Sequence, residues 1–338
     1  MHILVIGGSV FLGRAIVSEA LRRGDTVTTF NRGLTGVDLP GAELVRGDRT
    51  VTADLERLAE RRRWDAVVDV CGYVPREVGE SARILSGHAD AYVFISSISA
   101  FRDWPARRVD ESSATYDCGP NAGPDDGDYG ELKAGCERAV QNGFDGSVLL
   151  LNPGLILGPH ENVGRLPWWL RRIAGGGTVL APGDPTVEMQ VIDARDIATF
   201  GLDQIRSGTE GRFLVSGPPG NTTFGRWLAD CVAVTGSDAE LVWVPDEVLL
   251  EHDVEMWTEL PLWLPAGPDT AATWQASVDR ALAAGLRCRP VTETVRDTWS
   301  WMSAEGIDDL PTYRETPHHG IEPSKEKEIL SAWAATRP

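Results

Sequence analysis

The stretch that most restricts the fold of this chain is its beginning, His2–Ile6 followed by Gly7-Gly8-Ser9-Val10-Phe11-Leu12-Gly13. Residues 3–6 are apolar without alternation, the pattern of a strand buried on both faces in a parallel sheet. The glycines then mark a tight turn, and Arg14–Arg23 reads as a helix. Strand, glycine turn and helix N-terminus in that order make a phosphate cradle, because free backbone N–H groups point at the anion. The expected ligand is a dinucleotide lying on Gly7, Ser9, Val10, Phe11, Leu12 and Gly13. One position departs from the usual pattern. Val10 stands where a middle glycine is common, which predicts a looser approach of backbone to pyrophosphate.

Strand and helix signals then alternate. Thr26–Phe30 is expected as the second strand, ending in Asn31-Arg32-Gly33. An acidic residue at that end would accept from the ribose hydroxyls of NAD; Arg32 would instead pair with a 2′-phosphate, so NADP is favoured and NAD is the alternative. Ala42–Arg46 is a third strand, followed by Gly47 and by Asp48 at the expected adenine edge. Thr52–Arg63 reads as a helix and Trp64–Val70 as a fourth strand, which delivers Cys71-Gly72-Tyr73 beside the cofactor's path. No paired base accompanies Cys71, so it reads as a small buried side chain. Pro75–Gly87 is a helix and Ala91–Ile95 a fifth strand, running into Ser96-Ser97-Ile98-Ser99.

Ligands of open α/β sheets sit at the C-terminal ends of the strands, where a serine hydroxyl can hold a reacting oxygen. A partner for that serine follows in Tyr129-Gly-Glu-Leu-Lys133. Residues four apart share one helix face. Free tyrosine titrates near pH ~10, and a neighbouring cation favours the phenolate, which turns the phenol into a usable general acid or base. The lysine is set apart by composition: the chain has three, Lys133, Lys325 and Lys327, among 32 basic residues. Where basic charge is otherwise arginine, one lysine in the first 324 residues suggests a site wanting a compact ammonium with three donors. The helix is expected over about Asp128–Gln141, then strand Ser147–Leu151 and the turn Asn152–Pro159.

Composition removes several classes. A net charge of −18 argues against nucleic-acid binding through a broad basic face. Five cysteines with no close spacing indicate neither a disulfide framework nor a zinc site, and no metal is expected. The first apolar run is too short for a signal or membrane segment, so a cytoplasmic protein is expected. Ten of the twelve tryptophans follow residue 160. Trp168-Trp169 is expected to open a helix running to Arg171-Arg172, Trp257 and Trp263 flank a loop or lid, and His318-His319 reads as loop. Pro323–Trp333 is expected as a terminal helix with Ser324 as its N-cap.

Gly7–Gly13, Asp48, Ser97, Tyr129 with Lys133, Asn152–Pro159 and Val191-Ile192-Asp193-Ala194-Arg195-Asp196 occur in one order. In that order and combination the chain resembles the extended short-chain dehydrogenase/reductases, within them the NAD-dependent epimerase/dehydratase-like branch. The resemblance implies an α/β fold: a Rossmann-type doubly wound parallel sheet with a smaller C-terminal α+β substrate domain. Residues 1–160 would form the cofactor domain, with a segment at about 187–206 returning to it, and 161–338 the substrate domain. It implies Ser97, Tyr129 and Lys133 as a catalytic triad, with Lys133, Asn31, Arg32, Asp48, Cys71, Gly72, Asn152 and Pro153 also on the cofactor. Tyr73, Ser99, Leu155, Arg165, Trp169, Met189 and Trp257 are the expected substrate contacts, and a homodimer through Pro75–Gly87 and Asp128–Gln141 is implied. The expected reaction is hydride transfer at a hydroxyl or keto carbon of a small molecule. A redox-neutral nucleotide-sugar epimerase or dehydratase and a non-catalytic RNA-binding relative are the alternatives. Where nucleotide-sugar epimerases of this family carry an asparagine and an arginine for the diphosphate, this chain has Leu155 and Met189, with Glu188 alongside. A diphosphate needs donors and positive charge, so a smaller or more apolar substrate is expected.

Overall fold

Strand β1 (His2–Ile6) lies inside a parallel sheet and feeds α1 (Phe11–Arg22) through the glycine turn. The structure is a computed structural model describing residues 1–34, 37–306 and 319–336. Next come β2 (Thr26–Asn31), β3 (Glu43–Arg46), α2 (Thr52–Ala59), β4 (Trp64–Asp69), α3 (Pro75–Leu85) and β5 (Ala89–Ile95). A long excursion precedes α4 (Tyr129–Gly143) and β6 (Ser147–Pro153). The sheet gains a seventh strand from later in the chain, β11 (Gly211–Val215), and its order is β11-β6-β5-β4-β1-β2-β3. Every neighbouring pair is parallel. Strand order reverses at β1, and the crevice above such a reversal is where doubly wound sheets bind ligands.

The uninterrupted apolar run of β1 is explained by what covers each face. Ile3 and Val5 join Val27, Val68 and Val93 beneath Ile16 and Val17 of α1. Leu4 and Ile6 join Phe30, Val67 and Phe94 beneath Leu55 of α2 and Val78 of α3. Ile3, Leu4 and Val5 are fully buried, and burying each such side chain contributes about 1.5–3 kcal/mol. A polar residue at any of them would face one or other of these layers with no partner.

The remaining elements are β7 (Leu155–Leu157), α5 (Arg165–Ala174), β8 (Thr178–Pro182), β9 (Glu188–Met189), β10 (Val191–Asp193) and α6 (Ala194–Arg206), all before β11. After it come β12 (Thr222–Thr223), α7 (Phe224–Thr235), β13 (Glu240–Val244), α8 (Asp246–Glu251), α9 (Asp279–Ala283), α10 (Val291–Glu305) and α11 (Pro323–Thr336). Helix α6 returns to the sheet, with Ile197 and Phe200 packed into the α1 face. Three small strand pairs, β7–β10, β8–β13 and β9–β12, surround a second core. Trp169, Trp227 and Phe224 meet edge to face at its centre, and Trp263 is buried with them. The tryptophan-rich half thus builds largely its own interior.

Some boundaries differ from expectation. Helix α5 begins at Arg165, before Trp168-Trp169, and α1 begins at Phe11. Ser324 does not precede α11: Pro323 already occupies its first position, where a missing N–H is tolerated, so Ser324 lies inside the first turn. His319 is loop, while His318 lies outside the described residues. Among the described residues no helix is long and apolar enough to cross a membrane.

Candidate active site

The glycine turn is shaped by close approach. Gly7 and Gly8 hold φ of +104° and +96°, conformations that favour glycine. A Cβ on Gly7 would sit 2.7 Å from Val70 Cγ2, and one on Gly13 would sit 2.9 Å from Gly8 N. At the position of the missing middle glycine, Val10 is extended and Phe11 takes φ +40° instead, so the strained residue is the one after it. Helix α1 starts with no side-chain cap and no acidic residue in its first turn. Its first N–H groups therefore remain for an anion, and the cradle suits a dinucleotide pyrophosphate.

The second half of the site is carried by α4. Gly130, directly after Tyr129, has no room for a side chain: a Cβ there would overlap Ser99 O. That contact lets the first turn of α4 lie against the strand end bearing Ser97 and Ser99. The turn is fastened by Asp128 N–H donating to Glu131 Oε2 at 2.8 Å. Tyr129 is 52% exposed and Lys133 only 3%. Lys133 Nζ donates to Ile95 O at 2.6 Å and Gly72 O at 2.9 Å, and it lies 4.5 Å from the Phe94 ring centroid. Two of its three protons are thereby used, leaving one for a ligand or for Tyr129. Ser97 Oγ accepts from Ser99 N–H at 3.1 Å, so its own O–H is left to donate.

These groups surround one cavity of about 550 Å³. Of the residues singled out by sequence, Gly7, Ser9, Val10, Phe11, Leu12 and Gly13 line it beside Cys71, Tyr73, Ser97, Ser99, Tyr129 and Lys133. Pro153, Leu155, Arg165 and Trp257 also line it as expected, and Trp104, Val163 and Asn162 join without having been expected. Burial pushes the Cys71 thiol up from its ordinary value, and its Sγ donates to Ile6 O at 3.4 Å, the setting of a packing residue. Gly72 contributes its carbonyl to Lys133.

Other expected residues lie elsewhere. Trp169 is wholly buried, with Nε1 donating to Pro261 O, and Met189 is wholly buried in β9, so neither is brought to the cavity. Asn152 is also fully buried. Its amide donates to Ser97 O at 2.9 Å and Glu137 Oε1 at 2.6 Å, which places it under the cavity wall. Asn31, Arg32 and Asp48 form a separate group at the ends of β2 and β3. Asn31 donates to Asp38 Oδ1 at 3.0 Å, and Asp38 pairs with Arg46. Arg32 is 61% exposed in its side chain and 3.9 Å from Asp48, a loose pair. Hydrogen bonds from Thr50 hold the Asp48 carboxyl below its usual range.

Sequence reading missed Glu137, one further turn along α4 from Lys133. Its buried carboxylate accepts from Ser96 Oγ, Asn152 Nδ2 and Arg212 Nη2. The only sequence signal for it was the repeat of the four-residue spacing.

The model of the family described as NAD dependent epimerase/dehydratase matches residues 3–213. Among solved structures, a UDP-glucose 4-epimerase superposes with a TM-score of 0.69 at 17% identity, over 90% of this chain and 98% of that one. The UDP-glucose 4-epimerase of Thermus thermophilus, solved with NAD, gives 0.65 at 19% identity over 90% and 99%. WbmG of Bordetella bronchiseptica, solved with NAD and UDP, gives 0.67 at 16% identity over 93% and 99%. At such identities the likeness shows the fold alone. No curated protein is matched by the sequence. The family match covers more than half of the chain, which therefore belongs to the NAD dependent epimerase/dehydratase family, within the extended short-chain dehydrogenase/reductases whose motifs its sequence resembles.

Proposed function

We propose that this protein is an NAD(P)-dependent oxidoreductase acting at a hydroxyl or keto carbon of a small molecule, with Tyr129 as general acid/base. The observation that carries this reading is the meeting of Tyr129, Lys133 and Ser97 with the glycine turn around one cavity. A bound nicotinamide dinucleotide would supply the hydride acceptor or donor. The chain's own residues do the rest. Ser97 donates to the substrate oxygen and fixes its direction. Tyr129 gives or takes the hydroxyl proton. Lys133, held by Ile95 O and Gly72 O, offers its remaining proton to the nicotinamide ribose and its charge to the phenolate form of Tyr129. Residues 1–160 with the returning elements hold the cofactor in this reading, and 161–338 mainly the substrate.

For the cofactor we favour NADP(H). Arg32 is loosely paired and exposed enough to meet a 2′-phosphate, whereas the nearby Asp38 carboxylate is taken up by Asn31 and Arg46. A second reading, a redox-neutral epimerase or dehydratase acting on a nucleotide sugar, is supported by the solved UDP-glucose 4-epimerases and by WbmG with UDP. Leu155 in the cavity wall and Met189 in the core weigh against it, because neither supplies a donor for a diphosphate.

The test is Tyr129→Phe. Turnover of any hydroxyl or keto substrate should fall by about 10²–10⁴, with cofactor Kd unchanged. A variant with near wild-type kcat would remove Tyr129 from the chemistry. Turnover of a UDP-hexose with no net change in bound cofactor would favour the second reading.

A further inference from the structure

Among the described residues, the charged side chains lining the cavity are Lys133 and Arg165, both cationic, in a chain of net charge −18. Lys133 is occupied by two carbonyls and by its place beside Tyr129. Arg165 has no part in that chemistry, yet it is largely buried, with a side chain 12% exposed. Its ion-pair partner among the described residues is Glu161, which does not line the cavity. Glu161 accepts from Arg165 N–H at 2.9 Å and from Leu166 N–H at 3.4 Å, and reaches Arg165 Nε only at 3.4 Å. That last contact is long for a charged hydrogen bond. A carboxylate spent on the helix start thus leaves most of the five guanidinium donors for the cavity.

Apart from Asn162, the lining that the second half of the chain and the turn after β6 bring to the cavity alongside Arg165 is largely apolar. Trp257 holds φ +68°, an uncommon backbone conformation for a bulky residue. Its N–H donates to Trp263 O at 3.0 Å, which fixes that geometry with the indole in the cavity wall. Trp104 donates Nε1 to Thr273 O at 3.3 Å, so its polar edge is spent and its ring remains as surface. Leu155 and Val163 add only carbon.

We propose that this end of the cavity takes a carboxylate-bearing hydroxy or keto compound, with Arg165 holding the carboxylate and Trp257 and Trp104 covering an apolar, ring-bearing body. This rests on the reading of Tyr129 and Lys133 as the reacting end. The charge count selects the anion. One guanidinium fork matches one planar carboxylate, whereas a nucleoside diphosphate brings two or more negative charges and needs further donors and positive charge, to which Leu155 and Val163 add nothing and Asn162 adds one neutral amide. Arg165 is in this assignment a specificity residue, and it leaves the proton transfer to Tyr129.

The test is calorimetric titration of protein saturated with oxidised cofactor, so that a keto acid is bound and not reduced. The probes are benzoylformate, its uncharged amide, and UDP. Benzoylformate should bind more tightly than the amide. Arg165→Gln should weaken benzoylformate by roughly tenfold to a hundredfold while leaving the amide and the cofactor within about twofold. Arg165→Lys, which retains charge and lacks the fork, should recover only part of the loss, and it serves if Arg165→Gln does not fold. Trp257→Ala should weaken acid and amide alike. Equal binding of acid and amide, or no binding of benzoylformate, would overturn the proposal. A fall in cofactor affinity in Arg165→Gln would reassign the guanidinium to the pyrophosphate and overturn it as well. UDP binding tighter than benzoylformate, with the same dependence on Arg165, would replace the carboxylate by a diphosphate. Failure of the unmutated protein to bind either oxidised cofactor would instead strike the underlying reading, and that is measured separately in the first titration.

Discussion

Replacing Lys133 by methionine separates the structural and chemical parts of this residue's work. The ammonium is almost fully buried and supplies hydrogen bonds to Ile95 O and Gly72 O. Methionine nearly fills the volume and offers no donor. Two buried carbonyls then lose their partner, at about 1–3 kcal/mol each if no water reaches them. Against that stands relief from burying an ammonium, several kcal/mol in a dry interior, here already offset by the two carbonyls and the Phe94 ring. The expected net loss is about 1–3 kcal/mol, read as a lowered urea midpoint with unchanged m-value. Cofactor affinity should fall in the same variant, because the remaining Lys133 proton is the one assigned to the ribose. The loss should be roughly tenfold or more, the worth of one charge-assisted hydrogen bond. The assays are urea denaturation and fluorescence titration with NADPH. A methionine variant as stable as the parent would refute the stabilising part assigned to the hydrogen bonds with Ile95 O and Gly72 O. Unchanged cofactor affinity would refute its ribose role.

Three other outcomes are expected. Arg32→Ala should weaken NADPH by roughly tenfold to a hundredfold and scarcely alter NADH, and equal affinity of the parent for both would remove the NADP preference. Gly130→Ala should lower kcat by about 10² while gaining nothing from helix propensity, because its Cβ meets the backbone oxygen of Ser99 and must displace Tyr129; wild-type kcat would show that the α4 contact is not needed. Burial, with Arg14 second, holds the His160 imidazole down at about 4 from the ordinary 6.5. The unfolded chain takes up that proton first, so stability present above pH 6.5 is lost as pH falls toward 4. His160→Gln should flatten this acid limb by no more than about 2 kcal/mol, since the ring is partly exposed, and an unaltered pH profile would count against it.

Local patterns carried much of this molecule. The unbroken apolar run of β1 implied two covered faces, and the glycine turn implied a helix start open to an anion. The spacing of Tyr129 and Lys133 placed both on one face of α4 because a helical spacing needs no knowledge of neighbours. Other positions depended on tertiary direction. Met189, matched to a diphosphate-binding position, and Trp169 are both expected substrate contacts, yet β9 pairs with β12 and turns Met189 into the second core, where Trp169 meets Trp227. In a two-residue strand, the face a side chain takes is set by its partner strand and leaves no periodicity to read. Gly130 carried no signal either, because a helical glycine is ordinarily only a weak point; its reason is Ser99 O, thirty-one positions earlier in the chain.

The same dependence on distant partners explains why the cavity needs more of the chain than its own motifs. Tyr129, Lys133 and Glu137 lie at successive four-residue steps on α4, passing from the exposed rim to the fully buried interior. At the inner end, the Glu137 carboxylate would be costly without a cation, and its cation is Arg212 on β11, 75 residues away. Register brings it there: β11 pairs with β6 so that Arg212 stands opposite Leu150 and Leu214 opposite Asn152. Asn152 in turn donates to both Glu137 and the Ser97 carbonyl. One buried network therefore fixes the helix that carries Tyr129 relative to the strand end that carries Ser97, and it closes only when the seventh strand joins the sheet. The returning strand is as much a part of the site's geometry as the residues that face the cavity.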